Sequence, residues 1–429
     1  MNASPGGSAA DFDTRGRPRV AVTGIGVKTP AGCDVDSLSA TLGSGRSTAA
    51  AIVGCADDLP VRFACQVTDF DPRDYLSVKE MRLTDRITQM AWGAAADALA
   101  MSGDPGAAPL RSAVVAGAGV GGLLSIEKHT RRFIELGPSR LAPLLVPQVM
   151  PNAAAAFLSI QLGWRGATIC VATACASGST ALGEACRLLR DGSADVVLAG
   201  GTDSVVTPMA LSAFAQLGAL SRRNDDPTRA SRPFDAHRDG FVAGEGAAFL
   251  VLERADHARR RGARVLGEIV GYGRNSDAAH LTAPLRGGSG AAQCMQAALD
   301  DAGVSVTDVS HINAHGTSTP LNDATEAAGI RLLFGDSAPP VTSNKGALGH
   351  LVGAAGAVEA ASTLLALSLG QVPPTANHES TDPDIGLDIV RDTPRRITGR
   401  IALSNSFAFG GHNASLVIAA APDAEASAA

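Results

Sequence analysis

The most informative part of the chain is one short stretch, Thr168-Ile-Cys-Val-Ala-Thr-Ala-Cys-Ala-Ser-Gly-Ser179. It begins with the β-branched and apolar residues of a buried strand, turns through small residues at Cys175, and continues with apolar residues at helical spacing. Unpaired N–H groups and the helix dipole favour negative charge at a helix N-terminus, where the pKa of a thiol can fall to about 3.5–7.5. The stretch therefore predicts a cysteine at a strand-to-helix turn, either reactive or, as many cysteines are, simply buried.

Composition limits the class of protein. The 429 residues are 45% hydrophobic and include 48 glycines, which predicts one large α/β fold or about two or three domains. The net charge of −6 offers no broadly basic surface for nucleic acid. Seven cysteines without a CxxC pair disfavour a disulfide framework and a zinc ribbon, and they fit a reduced, cytoplasmic protein.

Two features bear on membranes. The N-terminus has no apolar signal segment, so we expect no secretion. The most apolar run, 348–369, contains His350 and Glu359 and is interrupted by glycines. It is interpreted as a buried helix, and we expect no membrane partner.

Strand-like and helix-like segments alternate along most of the chain. Strands are predicted at 19–26, 112–117, 194–201, 246–253, 265–270, 309–314, 341–343, 401–405 and 415–418, and helices at 85–101, 254–264, 291–302, 325–333 and 353–369. The pattern partly begins again after residue 264, which predicts two similar halves, 18–262 and 263–420, built on mostly parallel sheets covered by helices. Residues 1–17 and 421–429 are small and polar and are predicted to be disordered. The charged and glycine-rich residues 231–246 predict an ordered loop held by ion pairs.

Three glycine-rich stretches place histidines near predicted strand ends: Asn313-Ala-His-Gly-Thr-Ser-Thr-Pro320, Ser343-Asn-Lys-Gly-Ala-Leu-Gly-His350 and Asn405-Ser-Phe-Ala-Phe-Gly-Gly-His-Asn-Ala414. Such strand ends are where α/β proteins place their sites. A cysteine nucleophile with His315 and His350 fits acyl transfer from a thioester, because histidine can polarise a carbonyl or move a proton near neutral pH.

Other residues in these stretches have candidate roles. Lys345 lies in an otherwise small and apolar stretch, where a buried charge needs a partner, and Glu359 on the following helix is the candidate. Backbone N–H groups at Cys175 and in the loop 409–411 could form an oxyanion hole. A Cys/His/His metal site is disfavoured because no two candidate ligands share a short metal-type spacing. Six other histidines are interpreted as surface or structural residues: His129, His237, His257, His280, His311 and His378.

Together these motifs closely resemble the elongating β-ketoacyl-acyl-carrier-protein synthases of the thiolase-like superfamily. The likeness extends over about residues 18–420 and rests on Thr173-Ala-Cys-Ala-Ser-Gly178, the run 313–320, Lys345, Gly349-His350, Gly353-Ala-Ala-Gly356, Asn405-Ser-Phe and Phe409-Gly-Gly411. The resemblance implies an α/β protein with the five-layer αβαβα fold of two similar halves, normally dimeric. His350 favours an elongating enzyme, because initiating and chalcone-type relatives use Cys-His-Asn. Cys175 argues against a chain-length factor, which lacks the cysteine.

The resemblance also implies roles for individual residues. Cys175 would accept an acyl group from acyl-carrier protein, and malonyl-carrier protein would then lose CO2. His315 and His350 would stabilise the resulting enolate, which attacks the acyl group on the cysteine. Lys345 and Glu359 would support the site. Phe409 would be the gating phenylalanine beside the cysteine, together with Gly410 and Gly411. Thr317 and Thr319 would contact the pantetheine arm. No metal is expected, and no cofactor beyond the phosphopantetheine of the carrier.

Some positions depart from the family pattern. Ala408 replaces the usual glycine before the gating phenylalanine, and His412 stands where many relatives have threonine. Val120 occupies the tip of the acyl pocket, where many relatives have a larger residue, so a longer or branched chain is expected.

The sequence says less about the partners of the protein and its pathway than about its chemistry. An acidic carrier protein predicts a basic dock, for which the resemblance suggests Lys79, Arg82, Arg86, Arg222 and Arg223, although they also fit a solvated charged face. The protein is predicted to be a homodimer or a heterodimer with a related subunit. Three settings stay open: fatty acid elongation, a polyene or polyketide pathway needing a partner subunit, and a module that loads Cys175 but never extends.

Overall fold

The computed structural model describes residues 11–52 and 58–422. The strands are β1 (Val20–Lys28), β2 (Ala50–Ala51), β3 (Phe63–Ala64), β4 (Ser112–Gly117), β5 (Thr168–Val171), β6 (Val196–Ser204), β7 (Glu245–Arg254), β8 (Gly267–Ser276), β9 (Val309–Asn313), β10 (Val341–Thr342), β11 (Gln371–Val372), β12 (Arg395–Arg396), β13 (Ile401–Ala408) and β14 (His412–Ala420). The helices are α1 (Val35–Ser44), α2 (Val78–Leu83), α3 (Arg86–Ser102), α4 (Leu123–Leu136), α5 (Leu145–Val149), α6 (Ala153–Leu162), α7 (Ser177–Arg190), α8 (Pro208–Gln216), α9 (Ala255–Arg260), α10 (Ser289–Ala302), α11 (Pro320–Phe334), α12 (Lys345–Leu348) and α13 (Ala355–Leu369).

Ten of the strands form a large sheet in the order β5-β4-β6-β7-β1-β8-β14-β13-β9-β10. Its two five-stranded halves meet at β1 and β8 through the pairs Ala21–Glu268 and Val22–Gly267. The strands of one half come from residues 20–254 and those of the other from 267–420. The chain therefore builds two halves in succession, while the assignment of 18–262 and 263–420 as domains stays a prediction.

The prediction of mostly parallel sheets is wrong for the centre of the molecule. Between the strands of the large sheet, parallel pairing is confined to β5-β4-β6 and to β13-β9-β10. The strands between them pair antiparallel. Helices cover the central strands on both faces, so their continuous apolar runs look like those of parallel strands. The short turn Phe409–Gly411 joins β13 directly to β14, a connection that only antiparallel strands allow.

Helices and sheet halves stack in five layers. The helices α7 and α13 pack against each other between the two halves of the sheet. The outer face of the first half is covered by α3 and α6, and that of the second by α10 and α11. Leu182 of α7 and Val358 of α13 share one buried cluster with Leu250 of the first half and Leu416 of the second. This αβαβα arrangement confirms the predicted fold, and it places the N-terminus of α7 at the centre of the protein.

The apolar run near residue 350 forms a core helix, as predicted. Among the described residues, Val352–Leu369 is long and apolar enough to span a membrane by length and composition. In this fold 83% of that segment is buried inside the protein. Its apolar character therefore serves the packing between the two sheet halves.

Part of the predicted N-terminal leader is ordered. Residues 11–17 pack against the body of the protein through ion pairs of Asp11 with Arg259 and of Arg17 with Asp301. Those partners come from α9 and from the C-terminal turn of α10, so the sequence around the leader does not reveal them. Residues 1–10 and 423–429 of the predicted disordered tails lie outside the described residues.

The charged loop at 231–246 is ordered, as predicted. Arg232 pairs with Asp235 at 2.8 Å within the loop, and Arg238 pairs with Asp382 at 2.6 Å across to the C-terminal half. The predicted helix at 254–264 is shorter in the structure, where α9 ends at Arg260.

Close packing of α3 on β1 generates a stability prediction. A Cβ atom on Gly26 of β1 would lie 1.9 Å from the carbonyl oxygen of Ala94 in α3. Gly26→Val must therefore push the helix from the sheet, and overpacking of this kind costs about 1–3 kcal/mol or more. We expect a clearly lower midpoint of thermal unfolding by calorimetry. Gly43→Ala in α1 is the control, because its new Cβ meets only Pro394 at 4.0 Å. An equal fall in both variants would contradict this account of the packing.

Candidate active site

Cys175 lies in a tight turn between β5 and α7. The turn Ala174–Ala176 precedes the first residue of the helix, and Ala174 has a φ of 49°, in the left-handed region. The hydroxyl of Ser177 fixes this turn, because it accepts from the amide of Thr173 at 3.0 Å and donates to the carbonyl of Ala174 at 2.7 Å. The strand-to-helix position predicted for Cys175 is therefore observed, and its side chain points into the protein with 8% exposure.

The protonation state of Cys175 differs from the expected one. Burial raises the pKa of its thiol to about 11, although the charge of Lys345 and the amides of Phe409 and Cys175 itself act to lower it. The expected lowering at a helix N-terminus is therefore outweighed, because a thiolate loses most of its hydration at this depth. The resting thiol is protonated at neutral pH.

Two histidines from the second half of the chain meet this cysteine. His315 follows β9, and His350 follows α12. The Cys175 sulfur and one ring nitrogen of each histidine all lie within 4.8 Å of one another. The two imidazole rings are nearly perpendicular, with centroids 5.4 Å apart. Three possible ligand atoms this close together are also compatible with a metal ion. The wide spacing of these residues along the sequence is therefore not an argument against a metal site.

Hydrogen bonds set the tautomer of both rings. Nδ1 of His315 faces the ammonium of Lys345 at 3.2 Å, and Nδ1 of His350 accepts from the amide of Val352 at 3.2 Å. Burial and the charge of Lys345 hold the pKa of both imidazoles well below the usual value. Each ring is therefore neutral with its proton on Nε2, where it can donate to a substrate oxygen.

Lys345 is buried between His315 and Glu359. Its ammonium donates to the Glu359 carboxylate, and both side chains are almost fully buried. Burial raises the pKa of Glu359 to about 7, while the charge of Lys345 opposes this shift. The predicted partnership of Lys345 and Glu359 is observed, and it lets a cation remain beside the imidazole of His315.

Two buried carboxylates near the site were not predicted from the sequence. Glu326 on α11 accepts from the amides of His315 and Gly316 at 2.8 and 2.7 Å. Asp203 at the end of β6 accepts from the amides of Gly119 and Gly353. The sequence signal for each of these buried carboxylates was an acidic residue on an otherwise apolar strand or helix face. Their hydrogen-bond partners could not be recognised in the sequence, because they are backbone amides from other segments of the chain.

A cavity of about 450 Å³ opens onto the cysteine and both histidines. Apart from these three, its wall includes several residues that the sequence resemblance had singled out, namely Val120, Thr317, Thr319, Ala408 and Phe409. Thr317 and Thr319 share a hydrogen bond of 2.9 Å between their hydroxyl groups. The lining is mostly apolar, which suits an acyl chain.

The turn after β13 lies beside the cysteine. Phe409 is half-buried, and Gly410 and Gly411 have φ values of 80° and 72°, which favour glycine. Ala408, the departure from the family pattern, is in ordinary extended backbone with a φ of −113°. Alanine is therefore not strained in this conformation of the turn.

The predicted docking residues differ in their surroundings. Lys79 and Arg82 are exposed on α2, and Arg222 is exposed in the loop after α8. Arg223 is half-buried and donates to the carbonyl of His237 at 2.6 Å. Arg86 pairs with the buried Glu245 at 2.7 Å, so its charge is already neutralised within the protein.

Comparison with known proteins agrees with this fold. Family models match the chain as beta-ketoacyl synthase, N-terminal domain, over residues 17–258 and C-terminal domain over residues 266–379. A curated relative from Synechocystis sp., 3-oxoacyl-[acyl-carrier-protein] synthase 2, is 42% identical over 407 residues, covering 93% of this chain and 97% of the relative.

Solved structures are also similar. The ishigamide ketosynthase/chain length factor superposes with a TM-score of 0.89 at 35% identity, covering 95% of this chain and 100% of that chain. A type II polyketide synthase acyl-carrier protein in complex with its ketosynthase bound to the hexaketide superposes with a TM-score of 0.86 at 29% identity, covering 95% and 100%.

The fold and the similar proteins define an acyltransferase of the thiolase-like class. Within that class, the chain belongs to the beta-ketoacyl synthase family.

The raised pKa of Cys175 predicts how the thiol reacts with an alkylating reagent. Because only the thiolate reacts, iodoacetamide modification of the Cys175 peptide should accelerate about tenfold per pH unit between pH 7 and 9. The rate is measured by peptide mass spectrometry at each pH. A small-molecule thiol with a pKa of about 8.5 is the control and should begin to level off within this range. A plateau for Cys175 below pH 8 would contradict the buried, protonated thiol.

Proposed function

We propose that the protein condenses an acyl group carried on Cys175 with malonyl-acyl-carrier protein, with loss of CO2, to give a 3-oxoacyl-carrier protein. The observation that carries this proposal is the meeting of the Cys175 sulfur with the ring nitrogens of His315 and His350 in a mostly apolar cavity. A nucleophile beside two neutral hydrogen-bond donors suits two successive reactions of thioesters.

In the first reaction, the sulfur of Cys175 attacks the acyl thioester of the carrier. A new carbon–sulfur bond forms, the bond to pantetheine breaks, and the thiol proton of Cys175 ends on the released pantetheine thiol. The amides of Cys175 and Phe409 are directed at the cysteine side chain, where they can stabilise the oxyanion. Thr317 and Thr319, which belong to the same stretch as His315, line the cavity and would contact the pantetheine arm.

In the second reaction, malonyl-carrier protein replaces the first carrier. The Nε2–H groups of His315 and His350 donate to its thioester oxygen, so loss of CO2 leaves a stabilised enolate. The enolate carbon attacks the acyl carbonyl on Cys175, a carbon–carbon bond forms, and the thiolate leaves. Because burial raises the pKa of this thiol to about 11, the released thiolate takes up a proton from water.

Lys345 and Glu359 would act through the histidine. A cation 3.2 Å from Nδ1 of His315 keeps that nitrogen an acceptor and directs the proton to Nε2. Glu359 compensates for the buried charge of Lys345.

We further propose an acyl-carrier protein as partner, a homodimeric assembly, a cytoplasmic location, and no cofactor beyond the pantetheine of the carrier. Lys79, Arg82 and Arg222 are exposed cations and are the better candidates for the dock, although Arg222 also donates to the carbonyl of Ala215 at 3.3 Å, whereas Arg223 is half-buried. The name of the curated relative supports a carrier-bound substrate.

A second candidate has the same chemistry in a polyketide pathway with a non-identical partner subunit. Similarity to a ketosynthase/chain length factor and to a ketosynthase with its carrier protein favours this setting. A module that loads without extending is disfavoured, because both neutral histidines and Lys345 are in place for the second reaction.

Intact mass spectrometry with purified protein tests the proposed reaction. Medium-chain acyl-carrier protein should add an acyl group to the wild type and not to Cys175→Ala. Malonyl-carrier protein should then give the 3-oxoacyl product. His315→Ala and His350→Ala should still load but form product at least about 100-fold more slowly, since the enolate loses its donors.

The matched control is His237→Ala, an exposed histidine outside the cavity wall, which should behave as the wild type. Loading without product in the wild type would favour the heterodimeric polyketide setting. Absence of loading from every acyl donor would contradict the proposed function.

Val120 generates a prediction about chain length. It lies on the cavity wall with 38% exposure, so Val120→Phe should shorten the space for the acyl chain. We expect kcat/KM for the longest accepted acyl group to fall about tenfold or more, which corresponds to roughly 1.4 kcal/mol in the transition state. A series of acyl-carrier proteins of increasing length measures the profile. Val120→Thr, which keeps the side-chain volume, is the control. An unchanged profile in Val120→Phe would show that this residue does not limit chain length.

A further inference from the structure

A buried carboxylate lies close to the turn that carries Cys175. Asp203 is the penultimate residue of β6 and has no exposed surface. Its Oδ2 accepts from the amide of Gly119 at 2.8 Å and from the amide of Gly353 at 3.0 Å. Among the described residues its Oδ1 has no partner in hydrogen-bond geometry, although the amides of Ser204 and Val120 also act on the carboxylate. Burying an acidic group is costly, so its position calls for a physical reason.

The two amides belong to segments with different places in the site. Gly119 directly precedes Val120, which lines the cavity wall. Gly353 follows the turn that begins at His350, and in that turn the amide of Val352 donates to Nδ1 of His350. One carboxylate oxygen therefore links the loop of the acyl pocket to the turn that orients a histidine.

Both segments approach Asp203 too closely for a side chain. A Cβ atom on Gly119 would lie 2.6 Å from Oδ2 of Asp203 and 2.9 Å from a methyl carbon of Val352. A Cβ atom on Gly353 would lie 2.5 Å from the amide nitrogen of Gly119. Without an acceptor, the buried amides of Gly119 and Gly353 would each lose the hydrogen bond that they make to water in the unfolded chain. Asp203 supplies the acceptor for both.

The charge of Asp203 also acts on the cysteine. Burial raises the pKa of Asp203 to about 6, while the amides of Gly353, Gly119, Ser204 and Val120 act to lower it, so the group is mostly ionised above pH 7. Its negative charge raises the pKa of Cys175, and the positive charge of Lys345 opposes it. His315 and His350 face the same thiol and are neutral, and Lys345 and Asp203 are the charges with the largest effect on its pKa.

We propose that Asp203 is a positioning residue, which holds the loop of Val120 and the turn of His350 in a fixed relation to each other and to Cys175. This role rests on the proposed condensation, because it joins the acyl pocket to one donor for the enolate. The carboxylate contacts neither the acyl chain nor the malonyl group. It acts through the two backbone segments that it joins and through the field that it exerts on the thiol.

Two substitutions separate the hydrogen bonds of Asp203 from its charge. Asp203→Asn keeps one oxygen to accept from both amides but removes the charge. Asp203→Leu has a similar shape and removes both. The control is Asp195→Asn, which removes a half-buried carboxylate just before the same strand, where it pairs with Arg111.

The first readout is the pH profile of Cys175 alkylation, which needs no enzymatic activity. Loss of the nearby negative charge should move the profile of Asp203→Asn to lower pH, so that the rate at pH 8 rises about three- to tenfold, for a shift of about half to one pKa unit. Asp195→Asn should follow the wild type. An unchanged profile in Asp203→Asn would overturn the electrostatic part of the proposal.

The second readout is the split between kcat and KM over acyl chains of increasing length. Asp203→Asn should keep the wild-type length preference and most of its kcat, because both amides retain an acceptor. Asp203→Leu, compared at a temperature where circular dichroism shows it folded, should lose at least about tenfold in kcat and should broaden the length preference. Wild-type kcat and length preference in Asp203→Leu would overturn the positioning role.

If Asp203→Leu does not fold, altered length preference in the folded Asp203→Asn is the overturning result. A wild type that loads and condenses nothing would instead count against the proposed function, and the alkylation profile would still test the charge of Asp203.

Discussion

The rest of this structure depends on the close approach of the two central helices to the sheet, where glycines leave no side chain between the backbones. A Cβ atom on Gly117 of β4 would lie 2.4 Å from the carbonyl oxygen of Ser177, at the start of α7. A Cβ atom on Gly201 of β6 would lie 2.3 Å from the carbonyl oxygen of Gly353, ahead of α13. The central helices can therefore press onto the sheet at their N-termini, which brings Cys175 within reach of groups from the second half.

The same packing removes water from the site and sets its protonation. Burial raises the pKa of the Cys175 thiol and lowers that of the His315 and His350 imidazoles, so all three are neutral at rest. Two neutral imidazoles with protons on Nε2 suit hydrogen bonding to a developing enolate oxygen. The Glu359 carboxylate accepts from the buried ammonium of Lys345 and compensates for its charge. The electrostatics of the site thus follow from the fold.

Several features of the chain could be recognised in the sequence because they are local. Cys175 was predicted at a strand-to-helix turn, and Lys345 was predicted to pair with Glu359 on the next helix, since apolar periodicity and small residues are read within a short window. Asp203 and Glu326 were missed for the opposite reason. Each accepts from backbone amides that lie far away in the sequence, so no local pattern connects a carboxylate with its partners.

Periodicity along the chain was enough to locate the strands of the large sheet and the helices α3, α7, α9, α10, α11 and α13, whereas α1, α4 and α6 were not predicted. The five-layer plan and several residues of the cavity wall came from the family resemblance. The antiparallel centre of the sheet could not be recognised in this way, because strands covered on both faces have the same apolar runs in either direction. The pKa of Cys175 was expected to fall and instead rises to about 11. A helix N-terminus is visible in the sequence, whereas the desolvation that outweighs it comes from distant segments that surround the thiol only in the folded protein.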